Sequence, residues 1–271
     1  MRDDYVHGYS HKETKRLNDQ AMTLSELLHH DSLFPENVSI LEAGCGVGAQ
    51  SIILAQKNPK AQITSMDISA ESIKKAQEKI QAHQIKNVTF LQGDIFNLPF
   101  EKNSFDHIFI CFVLEHLHHP EKAIKQLLNV LKPGGSFTII EGDHGSAYFY
   151  PESKWAKMAI ECQVSLQAQS GGNTHIGRSL YPLMSHSGLN DIQVTPRMVY
   201  ADASRPLMVE GFTKNTFTAM IEGVRESALE NGLIDETVFD LGIKDLYRTA
   251  EKDGVFCYTF FKGKGFKSNE N

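Results

Sequence analysis

The sequence predicts an α/β fold: a doubly wound, mostly parallel sheet with helical lid insertions. Three observations predict it. Between about residues 38 and 141, short apolar runs alternate with amphipathic ones, and strands separated by helices imply crossover connections and parallel neighbours. Residues 105–112 are almost continuously apolar, as a central strand buried on both faces requires. The first apolar run ends in the turn Gly44-Cys45-Gly46-Val47-Gly48, at the strand end where open α/β sheets bind ligands.

The elements follow in order. Residues 38–42 read as a strand, and 49–57 as a helix stopped by Asn58-Pro59. Residues 62–67 are a second strand. Ser69 caps the next helix, whose Ile73, Ala76 and Ile80 form an apolar stripe at helical spacing. Residues 88–92 and 105–112 are the third and fourth strands. Residues 121–131 are helical, Pro133-Gly134-Gly135 breaks that helix, and 136–141 are the fifth strand. Beyond it the rhythm changes. Residues 148–168 read as a helix, 191–200 and 255–262 as two strands, and 206–252 as mostly helical; the chain before Pro35 is helical too.

The chain has 271 residues, 41% of them hydrophobic, enough for one large domain without staples. The expected organisation is a single domain: an N-terminal lid segment (1–35), a ligand-binding core (36–145), and lid insertions at 146–190 and 204–253. The net charge of −6 gives no basic face for phosphates, so no nucleic-acid partner is expected. Lys262, Lys264 and Lys267 read as a solvated tail. The four cysteines, Cys45, Cys111, Cys162 and Cys257, form no CxxC pair, which fits reduced thiols. The start Met1-Arg2-Asp3-Asp4 leads into no apolar run, and no stretch approaches the ~18 apolar residues of a span. The expectation is a cytoplasmic protein with no membrane partner; nothing in the sequence points to an oligomeric state.

The glycine turn lets the backbone bend sharply and approach a ligand. Gly44, Gly46 and Ala49 satisfy the dinucleotide pattern G-x-G-x-x-A, so a nicotinamide cofactor is one reading. Asp67 closes the second strand, where a carboxylate accepts bonds from ribose hydroxyls. Asp94 follows the third strand, in reach of an adenine amino group, and Glu42 precedes the glycines; NAD and S-adenosylmethionine both need the ribose partner, and with the second, Glu42 would lie close to the methionine amino group.

Taken together, Glu42-Ala43-Gly44-Cys45-Gly46-Val47-Gly48, Asp67-Ile68-Ser69, Gly93-Asp94-Ile95, Phe105-Asp106, Leu114-Glu115-His116 and Leu131-Lys132-Pro133-Gly134-Gly135 resemble the class I S-adenosylmethionine-dependent methyltransferases, a Rossmann-like family. The likeness covers about residues 40–140 and is greatest to the subgroup of ubiquinone- and menaquinone-biosynthesis enzymes. It implies methyl transfer from S-adenosylmethionine to a small-molecule acceptor. Gly44, Gly46 and Gly48 would shape the loop under the methionine end. Asp67 would hold the ribose, Ile68 would pack on the adenine, and Asp94, with Ile95 beside it, would bind the adenine amino group. Cys111 would present backbone atoms to the methionine portion. Two other readings stand beside this one: an NAD-dependent oxidoreductase, and a non-catalytic S-adenosylmethionine-binding regulatory module.

Methyl transfer from a sulfonium is an in-line displacement, so the protein must align the acceptor, exclude water and, for some acceptors, remove a proton. His144, after the fifth strand, is the first candidate for a general base; its other reading is a loop cap. His116, after the fourth, is the second, with packing as its alternative. His118 and His119 match no closed zinc motif, so no metal is expected. Tyr5, His7 and Tyr9 are candidates to close over the cofactor. Tyr148, Phe149, Tyr150 and Trp155 are candidates to line an acceptor pocket, and Arg178 and Arg197 to pair with an acidic substrate.

Overall fold

The computed structural model describes residues 11–269. Its strands are β1 (Ser39–Ala43), β2 (Gln62–Asp67), β3 (Val88–Gln92), β4 (Phe105–Cys111), β5 (Leu131–Tyr150), β6 (Leu189–Ala201) and β7 (Val255–Lys267). They form one sheet in the order β3-β2-β1-β4-β5-β7-β6. β1 pairs in parallel with β2 and β4, β2 with β3, and β4 with β5. The strand order therefore reverses between β1 and β4, the switch point where doubly wound sheets open a crevice.

The helices are α1 (His11–His29), α2 (Ala49–Lys57), α3 (Ala70–Ala82), α4 (Pro120–Val130), α5 (Lys154–Gln169) and α6 (Leu180–His186). The last excursion holds α7 (Pro206–Met208), a π-helical stretch Val209–Thr218, α8 (Ala219–Gly223), α9 (Arg225–Glu230) and α10 (Glu236–Arg248). The chain divides into two compact units. Of the described residues, one takes Ser25–Glu141, Ile176–Pro196 and those from Phe261 onward; the other takes Gly142–His175, Arg197–Phe260 and those up to Leu24.

In the first unit, β4 is buried on both faces, as its apolar run requires. Ile108 and Ile110 pack with Leu41, Ala123, Ile124, Leu127, Phe137 and Ile139, whereas Phe109 meets the His29 ring at the end of α1, 5.8 Å away. Each such fully buried side chain contributes roughly 1.5–3 kcal/mol. Asn58 stops α2: its side-chain amide donates to the carbonyls of Leu54 and Ser32, both at 2.9 Å. Ser69 caps α3 by accepting the Ser72 N–H at 3.2 Å.

In the second unit, α5 crosses α10 closely. A Cβ on Gly242 would stand 2.5 Å from the Trp155 carbonyl oxygen and 2.8 Å from the Ala159 Cβ. Phe149, Phe212, Phe217, Phe256, Tyr258 and Phe260 are all buried and form an aromatic core.

Two expectations are corrected. Residues 148–150 belong to β5, not to a helix; α5 starts at Lys154, where Ser153 Oγ accepts the N–H groups of Trp155 and Ala156, both at 3.1 Å. The lysines near the C-terminus are no solvated tail, because β7 runs to Lys267. Lys262 is 7% exposed; its Nζ donates to Asp31 Oδ1 (2.6 Å), Ser32 Oγ (2.8 Å) and the Leu28 carbonyl (3.0 Å). Lys267 Nζ donates to the carbonyls of Leu128 (2.9 Å) and Leu131 (2.7 Å), satisfying orphan groups at the end of α4. Among the described residues no helix is long and apolar enough to cross a membrane.

Candidate functional site

The three glycines of the 44–48 turn all have left-handed backbones, with φ of 77° (Gly44), 51° (Gly46) and 76° (Gly48), a region where a Cβ is penalised. Their surroundings differ. A Cβ on Gly44 would lie 2.5 Å from Val113 Cγ2, and one on Gly48 would lie 2.8 Å from the Ala76 Cβ. Both glycines are therefore needed for packing. A Cβ on Gly46 would meet nothing within 4 Å, so this glycine faces open space.

Asp67 braces the turn. Its Oδ2 accepts the Gly46 N–H at 2.7 Å and its Oδ1 the Ser69 N–H at 2.9 Å. The neighbouring Met66 carbonyl accepts the N–H groups of Gly44 (2.7 Å) and Cys45 (3.0 Å). Ile68, next along, is 57% exposed. The Asp67 carbonyl accepts the Gly93 N–H at 2.9 Å, which sets Asp94 beside the end of β2. Asp94 Oδ1 accepts the Phe96 N–H at 2.8 Å, an Asx turn. Ile95 is half-buried against the sheet core.

Glu42 is 2% exposed. Its Oε2 accepts bonds from the hydroxyls of Ser51 and Ser65, both at 2.5 Å. Burial pushes its carboxyl up to about 7; the two hydroxyls oppose this and the Asp67 charge adds to it. Cys111 is buried at the end of β4, and burial, then the charges of Glu141 and Glu42, raise its thiol well above the usual range. The structure thus gathers Glu42, Gly44, Gly46, Asp67 and Asp94 at neighbouring strand ends, with Cys111 closing the next strand.

His116 is half-buried, its Nε2 3.5 Å from Glu115 Oε1. His144 belongs to the other unit and is 6% exposed there. Its Nδ1 lies 3.0 Å from the Tyr258 hydroxyl, and its ring lies 6.1 Å from that of Phe217. Gly142 admits that contact, since a Cβ there would stand 2.4 Å from the Tyr258 hydroxyl oxygen. Tyr148 and Tyr150 are exposed, Phe149 stacks on Phe256 in the aromatic core, and Trp155 is half-buried under Lys154 Nζ at 4.0 Å. Arg178 is exposed and Arg197 is half-buried. Tyr5, His7 and Tyr9 lie outside the described residues. His118 and His119 are exposed, and among the described residues no group of three His, Cys, Asp or Glu side chains is arranged to hold a metal ion.

Three residues escaped the sequence reading. Ser51 and Ser65 are fully buried in otherwise apolar positions, a pattern that signals a buried polar partner. Glu141 was legible only as a strand-end carboxylate. It is 0% exposed, and its Oε1 accepts the N–H groups of Val113 (3.0 Å) and Leu114 (2.7 Å).

The methyltransferase domain family matches residues 35–185. An uncharacterised methyltransferase of Schizosaccharomyces pombe is 33% identical over 147 residues, 52% of each chain. A demethylmenaquinone methyltransferase of Lactococcus lactis is 33% identical over 117 residues, 43% of this chain and 46% of its own. The chain thus spans about half the length of the curated relatives it matches. Among solved structures, a Haemonchus contortus phosphoethanolamine N-methyltransferase 2, in complex with phosphomonomethylethanolamine and S-adenosylhomocysteine, superposes with a TM-score of 0.58 at 19% identity. It covers 92% of this chain and 53% of its own. The [4+2]-cyclase SpnF superposes with a TM-score of 0.57 at 19% identity, covering 91% of this chain and 81% of its own. These two likenesses concern the fold. With more than half of its length matched by the family, the chain belongs to the methyltransferase domain family.

Proposed function

We propose that this protein transfers a methyl group from S-adenosylmethionine to a small-molecule acceptor. The observation that carries the reading is the open side of Gly46, braced by Asp67 at the end of the second strand, with Glu42 next to last in the first strand and Asp94 two residues past the third. A cofactor with a ribose, an adenine and an ammonium group fits that donor and acceptor set. Each Asp67 oxygen accepts a backbone N–H, from Gly46 and from Ser69, and the carboxylate is the proposed partner of the ribose hydroxyls. Asp94 meets the adenine amino group, with Ile68 and Ile95 offering apolar surface to the ring. The 44–48 turn underlies the methionine end, Glu42 lies towards its ammonium, and Cys111 offers backbone atoms to the same portion. Tyr9, outside the described residues, is a further proposed cofactor contact. S-adenosylmethionine supplies the activated methyl group on its sulfonium; the protein orients the acceptor and excludes water.

His144 and His116 are the proposed proton acceptors, for acceptors that must lose a proton. Tyr258 fixes the ring of the first, and Glu115 stands beside the second. The demethylmenaquinone methyltransferases among the relatives favour a small metabolite as the acceptor. A lid from the insertions, a single working domain and a cytoplasmic location complete the proposal. A second reading is cofactor binding without methyl transfer, because a shared fold does not fix the chemistry. Methyl transfer from labelled S-adenosylmethionine to a metabolite panel separates the two. Label transfer to one acceptor, lost in Asp67→Ala, supports the first; cofactor binding with no transfer to any acceptor supports the second.

A further inference from the structure

Two consecutive residues at the end of the parallel part of β5 hold the turn that leaves β4. The Ile140 carbonyl accepts the Phe112 N–H at 2.9 Å. The Glu141 carboxyl accepts the next two amides, those of Val113 (3.0 Å) and Leu114 (2.7 Å), through one oxygen. Between these anchors Phe112 has φ 59°, a left-handed conformation in a bulky residue. Such a backbone persists where its surroundings over-determine it, and it clusters at functional sites. Leu114 opens a short 3-10 turn, Leu114–His116, that has no side-chain cap at its own N-terminus; Glu141 supplies that acceptor from another strand. Val113 then carries the constraint onward. It is 8% exposed, and its Cγ2 stands 2.5 Å from where a Cβ on Gly44 would be, so it packs directly over the first glycine of the 44–48 turn.

We infer that Glu141 is a positioning residue, whose Oε1 fixes the strained 112–114 turn and, through Val113, the glycine turn in the geometry that holds the cofactor. This rests on the reading of Cys111 and the glycine turn as the seat of the methionine end. Glu141 touches no ligand in this account; it acts through the backbone it holds. Its other oxygen, Oε2, is buried as well, and the amides of Val113 and Leu114 converge on Oε1. Burial, and then the neighbouring Glu115 charge, raise the proton affinity of Glu141; the Leu114, Val113 and Glu115 amides oppose them. A neutral side chain of the same length, with a carbonyl oxygen in place of Oε1, still presents an acceptor to both amides.

The test compares wild-type protein, Glu141→Gln and Glu141→Asp, in hydrogen exchange of the amides of Val113 and Leu114 without ligand and in calorimetric affinity for S-adenosylhomocysteine. Gln keeps the reach with a neutral amide oxygen; Asp keeps the carboxyl group and loses the reach. The expected result is exchange and affinity within about threefold of wild type for Gln. For Asp, exchange at both amides is at least tenfold faster and affinity at least tenfold weaker, with far-UV spectra unchanged. Wild-type affinity in the Asp variant, or an equal loss in both variants, overturns the inference. If the wild-type protein does not bind S-adenosylhomocysteine, the cofactor reading fails instead. In that case, unchanged exchange in Asp still removes the clamp, and faster exchange in Asp alone retains it.

Discussion

The carboxylate of Asp67 accepts the backbone N–H of Gly46 at 2.7 Å, and this bond joins the end of β2 to the turn after β1. From the sequence, Asp67 reads as a strand-end carboxylate free to meet a ribose. In the structure it has a second task, because the glycine turn is braced by the group proposed to bind the ligand.

Asp67→Ala is therefore expected to lower stability as well as affinity. The Gly46 and Ser69 amides both lose a charged acceptor, at a cost of about 1–3 kcal/mol where water does not replace it. Urea unfolding of the apo protein and calorimetry with S-adenosylhomocysteine check both halves. A variant as stable as wild type with weakened binding would show that the brace contributes nothing.

The glycines separate fold from function. In Gly48→Ala the new methyl meets α3 at 2.8 Å, and with its left-handed φ this is expected to cost about 2–4 kcal/mol. In Gly46→Ala there is open space, so only the backbone penalty of about 1–2 kcal/mol applies, but the methyl projects where the ligand is proposed to pass. The expected pattern is a large stability loss in the first. The second should show a small stability loss with strongly reduced S-adenosylhomocysteine affinity. Normal ligand affinity in Gly46→Ala would place the ligand elsewhere.

Two buried groups give opposing pH dependences. His29 is lowered to about 4 by burial and by Lys262, below its unfolded value near 6.5. The unfolded chain therefore binds the extra proton between these values, and stability is lost as pH falls from about 6.5 through 4. Glu42 is raised to about 7, so the folded chain holds the proton and stability is lost as pH rises from about 4.5 through 7. Each group accounts for on the order of 3 kcal/mol at most. Relative to wild type, Glu42→Gln should gain stability as pH rises and His29→Gln as pH falls, measured by urea unfolding across that window. Parallel pH profiles for all three proteins would contradict the assignment.

Lys262 and Asp31 form an ion pair at 2.6 Å in which the lysine is 7% exposed and the aspartate 43%. Removing the exposed partner leaves a buried cation, so Asp31→Asn is expected to cost about 2–4 kcal/mol, somewhat less than a fully buried pair. Lys262→Met leaves a solvated carboxylate and an apolar stem, and should cost about 1–2 kcal/mol. Equal losses measured by urea unfolding would mean that the lysine is not desolvated as the structure has it.

The cofactor half of the fold was legible because its signals are local. Helix α2 and strands β2 and β3 have the boundaries that periodicity and the breakers Asn58-Pro59 imply. The additions were less legible. Tyr148 and Tyr150 alternate with the buried Phe149, a period of two that the aromatic run obscured, and so β5 reads as a helix there. Lys262 looks like a tail lysine because its acceptors, Leu28, Asp31 and Ser32, lie more than two hundred residues away in sequence. Glu141 is similar: its acidic character is visible, but the amides it holds follow a different strand.

The central claim is that the turn after β1 and the carboxylates beside it form an S-adenosylmethionine site. Isothermal calorimetry of the purified protein with S-adenosylhomocysteine and, separately, with NAD tests it most directly. The account predicts a saturable one-site isotherm with S-adenosylhomocysteine and no heat of binding with NAD. Saturable binding of NAD with none of S-adenosylhomocysteine would contradict it.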